Sequence, residues 1–186
     1  MPLQCKWSFA AAVLVMALAA CDDNGGLAGS SPSRSTDPPS KSASPRPTED
    51  PRVTATAVYR GMWTAYDKAR TNPRSDDPTL SRYATGAALW TLLAQLQGAK
   101  NLGLRGTGSV MTSPVVTKVT PVRRPTRISI RDCLDTSKSK LVRVTSGSPY
   151  RDTPGGRRLC EADVQQQIDG SWKVLTFSIR PVGSCG

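Results

Sequence analysis

The sequence predicts an α+β domain in which N-terminal helices pack on a bent antiparallel sheet of about four strands. Three observations predict it. Hydrophobic residues recur every three or four positions between residues 53 and 99, the period changes to two after Gly108, and Asp169-Gly170 joins two alternating segments near the C-terminus. Helices have a period of 3.6 residues and half-buried strands a period of two. Helices and strands that occur in separate blocks are typical of α+β domains.

Three helices are predicted in the first half of this domain. The first covers Val53 to Ala69, and the second begins at Asp77-Pro78, a favourable N-cap and first-turn pair. Gly86 is expected to end the second helix. The third helix covers Ala87 to Ala99 and places leucines on one face, namely Leu89, Leu92, Leu93 and Leu96.

The second half is predicted to consist of strands. A valine-rich extended segment covers residues 110–122, and residues 127–131 alternate strictly between arginine or serine and isoleucine, which predicts one buried and one exposed face. A shorter strand is expected from Lys140 to Thr145. Arg158 to Ile168 and Trp172 to Ile179 are joined by Asp169-Gly170, a strong signal for a two-residue hairpin turn.

Charge and the absence of histidine restrict the possible functions. Residues 53–186 hold 20 basic and 9 acidic side chains, so the whole net charge of +11 lies on this part of the chain. Such a surface favours polyanions, and a solvated surface is the alternative. The sequence contains no histidine, which excludes Ser-His-Asp, Cys-His and histidine-metal chemistry. No metal and no cofactor are expected.

The N-terminus has the pattern of an export signal. Lys6 precedes a 12-residue apolar run at positions 9–20, which is too short to span a bilayer as a helix. The run ends in Leu18-Ala19-Ala20-Cys21, which resembles the bacterial lipobox. The resemblance implies cleavage between Ala20 and Cys21 and lipid on Cys21. Two acyl chains would anchor the protein stably on the outer side of the cell membrane.

Two alternatives to this anchor stay open: ordinary secretion with Cys21 free, and an uncleaved N-terminal anchor. Export makes anionic lipid or a cell-wall polymer the expected polyanion, and it argues against nucleic acid as a partner. Residues 21–52 are rich in Ser and Pro and nearly lack apolar side chains, which predicts a disordered tether. A proline-rich docking motif is the alternative for this segment. Residues 53–186 then form a single domain.

The predicted domain resembles the nuclear-transport-factor-2-like (cystatin-like, cone-shaped) domains found in many actinobacterial lipoproteins. The resembling stretches lie at residues 58–66, 83–86, 130–135 and 169–174, together with a cysteine near the C-terminus. The resemblance implies an apolar pocket between the helices and the sheet, and some members of the family place an aspartate base there. It supports a fold more than a function.

Three cysteines remain after loss of Cys5 with the signal peptide and lipidation of Cys21: Cys133, Cys160 and Cys185. The predicted strand order places all three at one end of the sheet, so that each pair is geometrically possible. The family resemblance favours a Cys133–Cys185 disulfide, which would also fix the C-terminal tail, and Cys133–Cys160 is the alternative. Cys160 is then expected to be a buried apolar residue, and a metal site made of the three cysteines is not expected.

A candidate pocket and a candidate anion-binding face follow from these patterns. The pocket residues are Tyr59, Trp63, Tyr66, Trp90 and Asp132. Aromatic residues at helical spacing also fit a plain core, and Asp132 without a partner acid is a weak catalytic signal. No catalytic residue is therefore assigned. The candidate face comprises Arg123, Arg124, Arg127, Arg131, Arg157 and Arg158.

Two functions are compatible with the sequence. The first is a non-enzymatic, lipid-anchored binding or accessory module at the cell envelope. The second is a small-molecule carrier, or an isomerase- or dehydratase-like enzyme, that uses the cone pocket. A filled core favours the first function. An enclosed pocket with a carboxylate of raised pKa inside favours the second.

Overall fold

The computed structural model of the protein describes residues 49–74, 76–150 and 155–185. The predicted signal peptide, the cleavage and lipidation site at Ala20 and Cys21, and most of the tether lie outside the described residues. Residues 45–186 form one compact unit. Within the described part of this unit, none of the helices combines the length and hydropathy needed to cross a bilayer.

The first helix, α1, covers Pro51–Thr71 and begins two residues before the predicted start. Its N-cap is Asp50, whose side chain accepts a hydrogen bond from the backbone N–H of Arg52. Proline at the first helical position needs no N–H partner, so Pro51 fits this start. The apolar face of α1 is buried against the sheet, as its spacing predicts.

The predicted second helix is only one 3-10 turn, Leu80–Arg82. The Asp77 carboxylate accepts hydrogen bonds from the backbone N–H and the hydroxyl of Thr79, so it stabilises a turn in place of a longer helix. The next helix, α2, covers Gly86–Asn101. Gly86 therefore begins α2 and does not break a preceding helix, which corrects the prediction for this residue.

Six strands follow the helices in the part of the chain that the structure describes: β1 Leu104–Thr107, β2 Val115–Thr120, β3 Arg127–Asp135, β4 Lys140–Arg143, β5 Arg157–Gln166 and β6 Trp172–Ile179. The order β2-β3-β5-β6 forms a four-stranded antiparallel sheet. Gly170 has a φ of 83° in the turn between β5 and β6, a conformation that glycine adopts without a steric penalty. The pairing of β5 with β6 confirms the predicted hairpin. The predicted two-residue turn is wrong, because the Gln167 N–H donates to the Ser171 carbonyl and the turn therefore has three residues, Ile168 to Gly170.

The predicted strand from Lys140 to Thr145 is confirmed as β4, but its partner β1, and thus the two-stranded β1–β4 ribbon, was not predicted. Leu104 pairs with Arg143 and Thr107 pairs with Lys140 in this ribbon. β1 is short and follows α2 directly, and two of its four residues are Arg105 and Gly106, so it lacks an alternating apolar pattern. The valine-rich strand is also shorter than predicted, because only residues 115–120 are paired as a strand.

The predicted α+β class is confirmed, since both helices lie on the inner face of the sheet and bury it. Residues of β3 alternate between exposed or partly buried positions and the buried side chains Ile128, Ile130, Asp132 and Leu134. Apolar residues of α1, α2, β5 and β6 complete one core cluster. Burial of this apolar area is the main stabilising contribution to the fold.

The disulfide joins Cys133 and Cys185, whose Cα atoms are 5.8 Å apart. Cys160 is free and buried, as expected for a small apolar residue. Cys160 is paired with Asp132 across the strands, so it lies on the inner face of the sheet, whereas Cys133 lies on the outer face. The expectation that each pair of cysteines could join is therefore wrong, because the sheet separates Cys160 from Cys133.

Candidate functional site

A cavity of about 520 Å³ lies between the C-terminal halves of α1 and α2, the β1–β4 ribbon and the end of β3. Leucines from four elements supply much of its apolar wall: Leu96, Leu104, Leu134 and Leu141. Ala99, on α2, also faces the cavity. The volume is within the range of about 300–1,000 Å³ that is typical of small-molecule sites. This cavity is the candidate functional site.

The α1 wall of the cavity is made of Trp63, Tyr66 and Arg70. Residues three and four positions apart lie on one helix face, so this spacing turns all three side chains toward the same space. The Trp63 ring makes edge-to-face contacts with Tyr66 and with Phe177, at centroid distances of 6.1 and 5.4 Å. Burial raises the pKa of Tyr66 to about 12, and its hydroxyl donates to Gln95 Oε1 at 2.6 Å.

Arg70 is held in place by several acceptors. One guanidinium nitrogen donates to Ser139 Oγ at 2.7 Å, and another lies 3.3 Å from Asp67 Oδ1. The second oxygen of Asp67 accepts a hydrogen bond from the Val110 backbone N–H at 2.8 Å. Burial raises the pKa of Asp67, while Val110 and Arg70 oppose this shift. A Cβ on Gly106 would lie 2.6 Å from Arg70 Cβ, so β1 needs glycine where the arginine passes.

The charged side chains that line the cavity are all cationic. Arg70 comes from α1, Lys140 from the start of β4, and Arg158 from the inner face of β5. Among the described residues that line the cavity, none is a carboxylate. Arg70 is already paired with Asp67, so the exposed Lys140 is the cation of the lining that would attract an anionic group on a bound molecule.

The structure separates the predicted pocket residues into three places. Trp63 and Tyr66 line the cavity. Tyr59 is fully buried beside Asp132, in a packed part of the core away from the cavity lining. Trp90 is 73% exposed, so its prediction as a pocket residue is corrected. The reason is the face of α2: Leu92 and Leu96 point inward, and Trp90 lies on the solvent side of the same helix.

Asp132 faces the core but does not line the cavity, which corrects its prediction as a pocket residue. Its side chain accepts hydrogen bonds from the Tyr59 hydroxyl at 3.0 Å and from the Ser113 backbone N–H at 2.7 Å. Burial raises the pKa of Asp132, and these two donors partly offset the shift. Burial also raises the pKa of Tyr59, which therefore stays protonated and donates. One carboxylate oxygen thus joins α1 to β3, and the other joins β3 to the segment before β2.

The predicted arginine face is not one surface. Arg127, Arg131 and Arg157 lie on the outer face of the sheet, but Arg157 is at the opposite end from Arg127. Arg158 lies on the inner face, in the cavity lining. Glu161 lies on β5 between these two ends of the sheet, and its carboxylate is 3.5 Å from the Arg131 guanidinium. Arg123 and Arg124 belong to the exposed segment between β2 and β3.

Sequence reasoning missed Arg70 and Lys140 as site residues. A signal for Arg70 exists, because Asp67 and Arg70 are three positions apart and Arg70 falls between buried residues of α1. Lys140 could not be found without the β1–β4 ribbon, which places it at the cavity. Among the described residues, no cluster of three or more His, Cys, Asp or Glu side chains could hold a metal ion.

Comparison with known proteins gives weak structural similarity only. No family model matches the sequence, and no curated protein matches it. The intermembrane space region of the chloroplast protein ARC6 is similar with a TM-score of 0.49 and 17% identity, over 72% of this chain and 98% of that chain. A ketosteroid isomerase-like protein from Erwinia carotovora atroseptica SCRI1043 has a TM-score of 0.39 and 10% identity, over 70% and 95% of the two chains.

Proposed function

We propose that the protein is anchored by lipid on Cys21 at the extracytoplasmic face of the cell membrane and that its folded domain is a non-enzymatic binding module. The cavity holds an apolar ligand that carries an anionic group. The observation that carries this proposal is the lining of the cavity, which combines leucine side chains with Lys140 and contains no carboxylate among its described residues.

Two features support the proposed location. The apolar run at residues 9–20 and the sequence Leu18-Ala19-Ala20-Cys21 have the pattern of an export signal with a lipidation site. The Cys133–Cys185 disulfide fits an oxidising compartment. A lipid anchor and a disulfide are both compatible with a protein on the outer side of the membrane.

The chemistry of the cavity supports binding over catalysis. Its described lining contains no carboxylate, thiol or histidine that could act as a general base. The buried aspartate, Asp132, lies outside the lining and uses both oxygens as acceptors for Tyr59 and Ser113. The alternative function, an isomerase- or dehydratase-like enzyme, would need such a carboxylate inside the pocket.

Calorimetric titration with three amphiphiles of equal chain length tests the proposed ligand class. Dodecanoate, dodecanol and dodecylamine are titrated below their micelle concentrations into the protein without its acyl group. We expect dodecanoate to bind at least ~10-fold more tightly than dodecylamine, because a charge-assisted contact is worth about 1.5–3 kcal/mol. Equal affinities for the acid and the amine, or no binding of either, would contradict the proposal.

Three variants locate the binding. Lys140→Gln removes one cation from the lining and should weaken dodecanoate binding about fivefold while leaving dodecanol unchanged. Lys138→Gln is the matched control, because Lys138 is exposed and does not line the cavity. Ala99→Phe places a ring in the cavity from α2 and should abolish binding of all three amphiphiles. Unchanged binding in Ala99→Phe would place the ligand elsewhere.

Intact mass spectrometry of membrane-extracted protein tests the anchor. The expected species begins at Cys21 and carries a diacylglyceryl group, and reductant adds the mass of two hydrogen atoms for one disulfide. Recovery of the protein from the cytosol with residues 1–20 still attached would refute the proposed location.

A further inference from the structure

Two neighbouring loops expose apolar side chains at one end of the four-stranded sheet. Val122, between β2 and β3, is 83% exposed, and Ile168, between β5 and β6, has no part of its surface covered. Arg127 is paired with Gln165, and the Gln166 N–H donates to the Thr126 carbonyl at 2.8 Å. These contacts hold the two loops side by side. We call residues 121–127 and 166–172 together the loop tip.

The loop tip is also basic. Arg123 and Arg124 are exposed beside Val122, and Arg127 is exposed at the start of β3. Asp169 is the one acidic residue of the tip, and its carboxylate accepts hydrogen bonds from the backbone N–H and the hydroxyl of Ser171 within the turn. Exposed aliphatic side chains flanked by arginines form an amphipathic surface.

The direction of α1 places the start of the domain at the same end of the four-stranded sheet as the loop tip. Tyr59 contacts Asp132 in β3, and Arg70, farther along α1, contacts Ser139 beyond the end of β3. The C-terminus of α1 therefore points away from Arg127, and its N-terminus, at Pro51, points toward the loop tip. A chain of about 30 residues between Cys21 and Pro51 has a coil dimension of roughly 30 Å, which lets the tip reach a membrane to which Cys21 is anchored.

We propose that the loop tip docks on an anionic membrane surface, where Val122 and Ile168 insert among the headgroups and Arg123, Arg124 and Arg127 contact lipid phosphates. The orientation of the domain rests on the proposed anchor at Cys21, but the lipid contact itself does not. A wall polymer would account for the arginines alone. Two exposed aliphatic side chains beside the arginines favour a surface that also offers acyl chains.

Vesicle flotation of residues 22–186, which lack any acyl group, tests the contact directly. The compact unit that begins at residue 45 contains the disulfide and the core, so removal of residues 1–21 leaves it intact. We expect the protein to float with vesicles that contain about a third phosphatidylglycerol and not with pure phosphatidylcholine. Flotation with neither vesicle would overturn the proposal.

Paired variants separate the contribution of the arginines to vesicle binding from that of the aliphatic side chains. Arg123→Gln with Arg124→Gln should lower the partition coefficient on anionic vesicles about 25-fold, since each arginine near such a surface is worth about 1 kcal/mol. Ile168→Ser should lower it about tenfold. Arg82→Gln and Val144→Ser are the matched controls, because both residues are exposed and lie outside the tip, and they should change it less than twofold.

Further outcomes separate this proposal from a polymer site, from the cavity and from the anchor. Loop variants that float as well as the controls would overturn the proposal. Binding to soluble dextran sulfate that Ile168→Ser leaves unchanged, with no preference for vesicles, would assign the tip to a polyanionic polymer and also overturn it. Ala99→Phe, which fills the cavity, should float like the wild-type protein. A cytosolic, unlipidated protein would refute the anchor while leaving the flotation result valid.

Discussion

The two halves of α1 cover two different kinds of interior. Beneath the N-terminal half, Ala55 and Tyr59 are fully buried against a packed sheet, and Asp132 accepts hydrogen bonds from neutral donors. Beneath the C-terminal half lies the cavity, where Asp67 is paired with Arg70. A buried carboxylate does not by itself mark a reactive site. The position of the empty volume and the sign of the charges around it are more informative.

The two halves also differ in what stabilises them. Close packing stabilises the interior beneath the N-terminal half of α1. The interior beneath the C-terminal half contains empty space and depends on individual cross-links and hydrogen bonds. The C-terminal tail, which follows β6, is held by the Cys133–Cys185 disulfide, and Ser184 Oγ accepts a hydrogen bond from the Leu159 N–H at 2.9 Å. These ties hold the tail beside Arg158 and Ile179, which belong to the cavity lining.

Removal of the disulfide should have the largest effect on stability. The double variant Cys133→Ser, Cys185→Ser loses a cross-link between residues 52 positions apart, which is worth about 4 kcal/mol in the chain-entropy model. Urea unfolding measures the loss. Reductant should lower the stability of the wild-type protein by a similar amount and leave the double variant unchanged. A wild-type unfolding curve that reductant does not shift would contradict this account of the cavity wall.

A pair of truncations compares the two interiors directly. Ile130→Ala, in the packed half where Ile130 is buried, should cost about 3 kcal/mol through lost burial and a new void. Leu141→Ala borders space that is already empty, so it should cost about 1 kcal/mol. Urea unfolding of both variants gives the difference. Equal costs would mean that the two halves are packed alike.

The periodic patterns predicted most of the fold, because α1, α2, β3 and the β5–β6 hairpin each carry a strong local signal. The strand β4 was predicted, but β1 and its pairing with β4 could not be, since β1 is short and the pairing joins residues far apart in the sequence. The ribbon supplies a wall of the cavity, so Lys140 was missed with it.

The candidate site was predictable only in part. Trp63 and Tyr66 were found because they share a helical face, and Trp90 was misplaced because an aromatic residue was assumed to face inward. Asp132 was expected to face inward and does, but which buried residues border empty space depends on how the helices cross the sheet. Spacing along the chain does not contain that information.

The pH dependence of stability separates the buried Asp132 from exposed carboxylates. Burial raises its pKa in the folded protein, so the folded state holds the proton more tightly than the unfolded state. Its contribution to stability is therefore present at low pH and declines as pH rises from the unfolded pKa through the folded pKa. Relative to Asp132→Asn, the wild-type protein should lose stability as pH rises above the unfolded pKa of about 4, as measured by urea unfolding.

Asp169 is the control for this pH dependence, because its pKa shifts in the opposite direction. A hydrogen bond from the Ser171 side chain lowers its pKa, so Asp169 stabilises the folded state above its unfolded pKa and this contribution is lost as pH falls through the folded pKa. Relative to Asp169→Asn, the wild-type protein should gain stability as pH rises. The same sign for both variants would refute the assignment of Asp132 as a carboxylate penalised by burial.

The smallest expected effect belongs to Trp90. Trp90→Gln should change the free energy of unfolding by less than about 0.5 kcal/mol, because the ring is exposed on α2. Amphiphile binding should also be unchanged. A large loss of stability or of amphiphile binding would mean that Trp90 does belong to the site.

Photo-cross-linking tests the central claim most directly, because it reports where an anionic amphiphile lies. Dodecanoate with a diazirine at its methyl end is irradiated with the protein, and labelled residues are identified by mass spectrometry. We predict labels on residues that line the cavity, such as Leu102, Leu141 and Tyr150, and their loss in Ala99→Phe. Labels concentrated on the loop tip, or labels that Ala99→Phe leaves unchanged, would contradict the account.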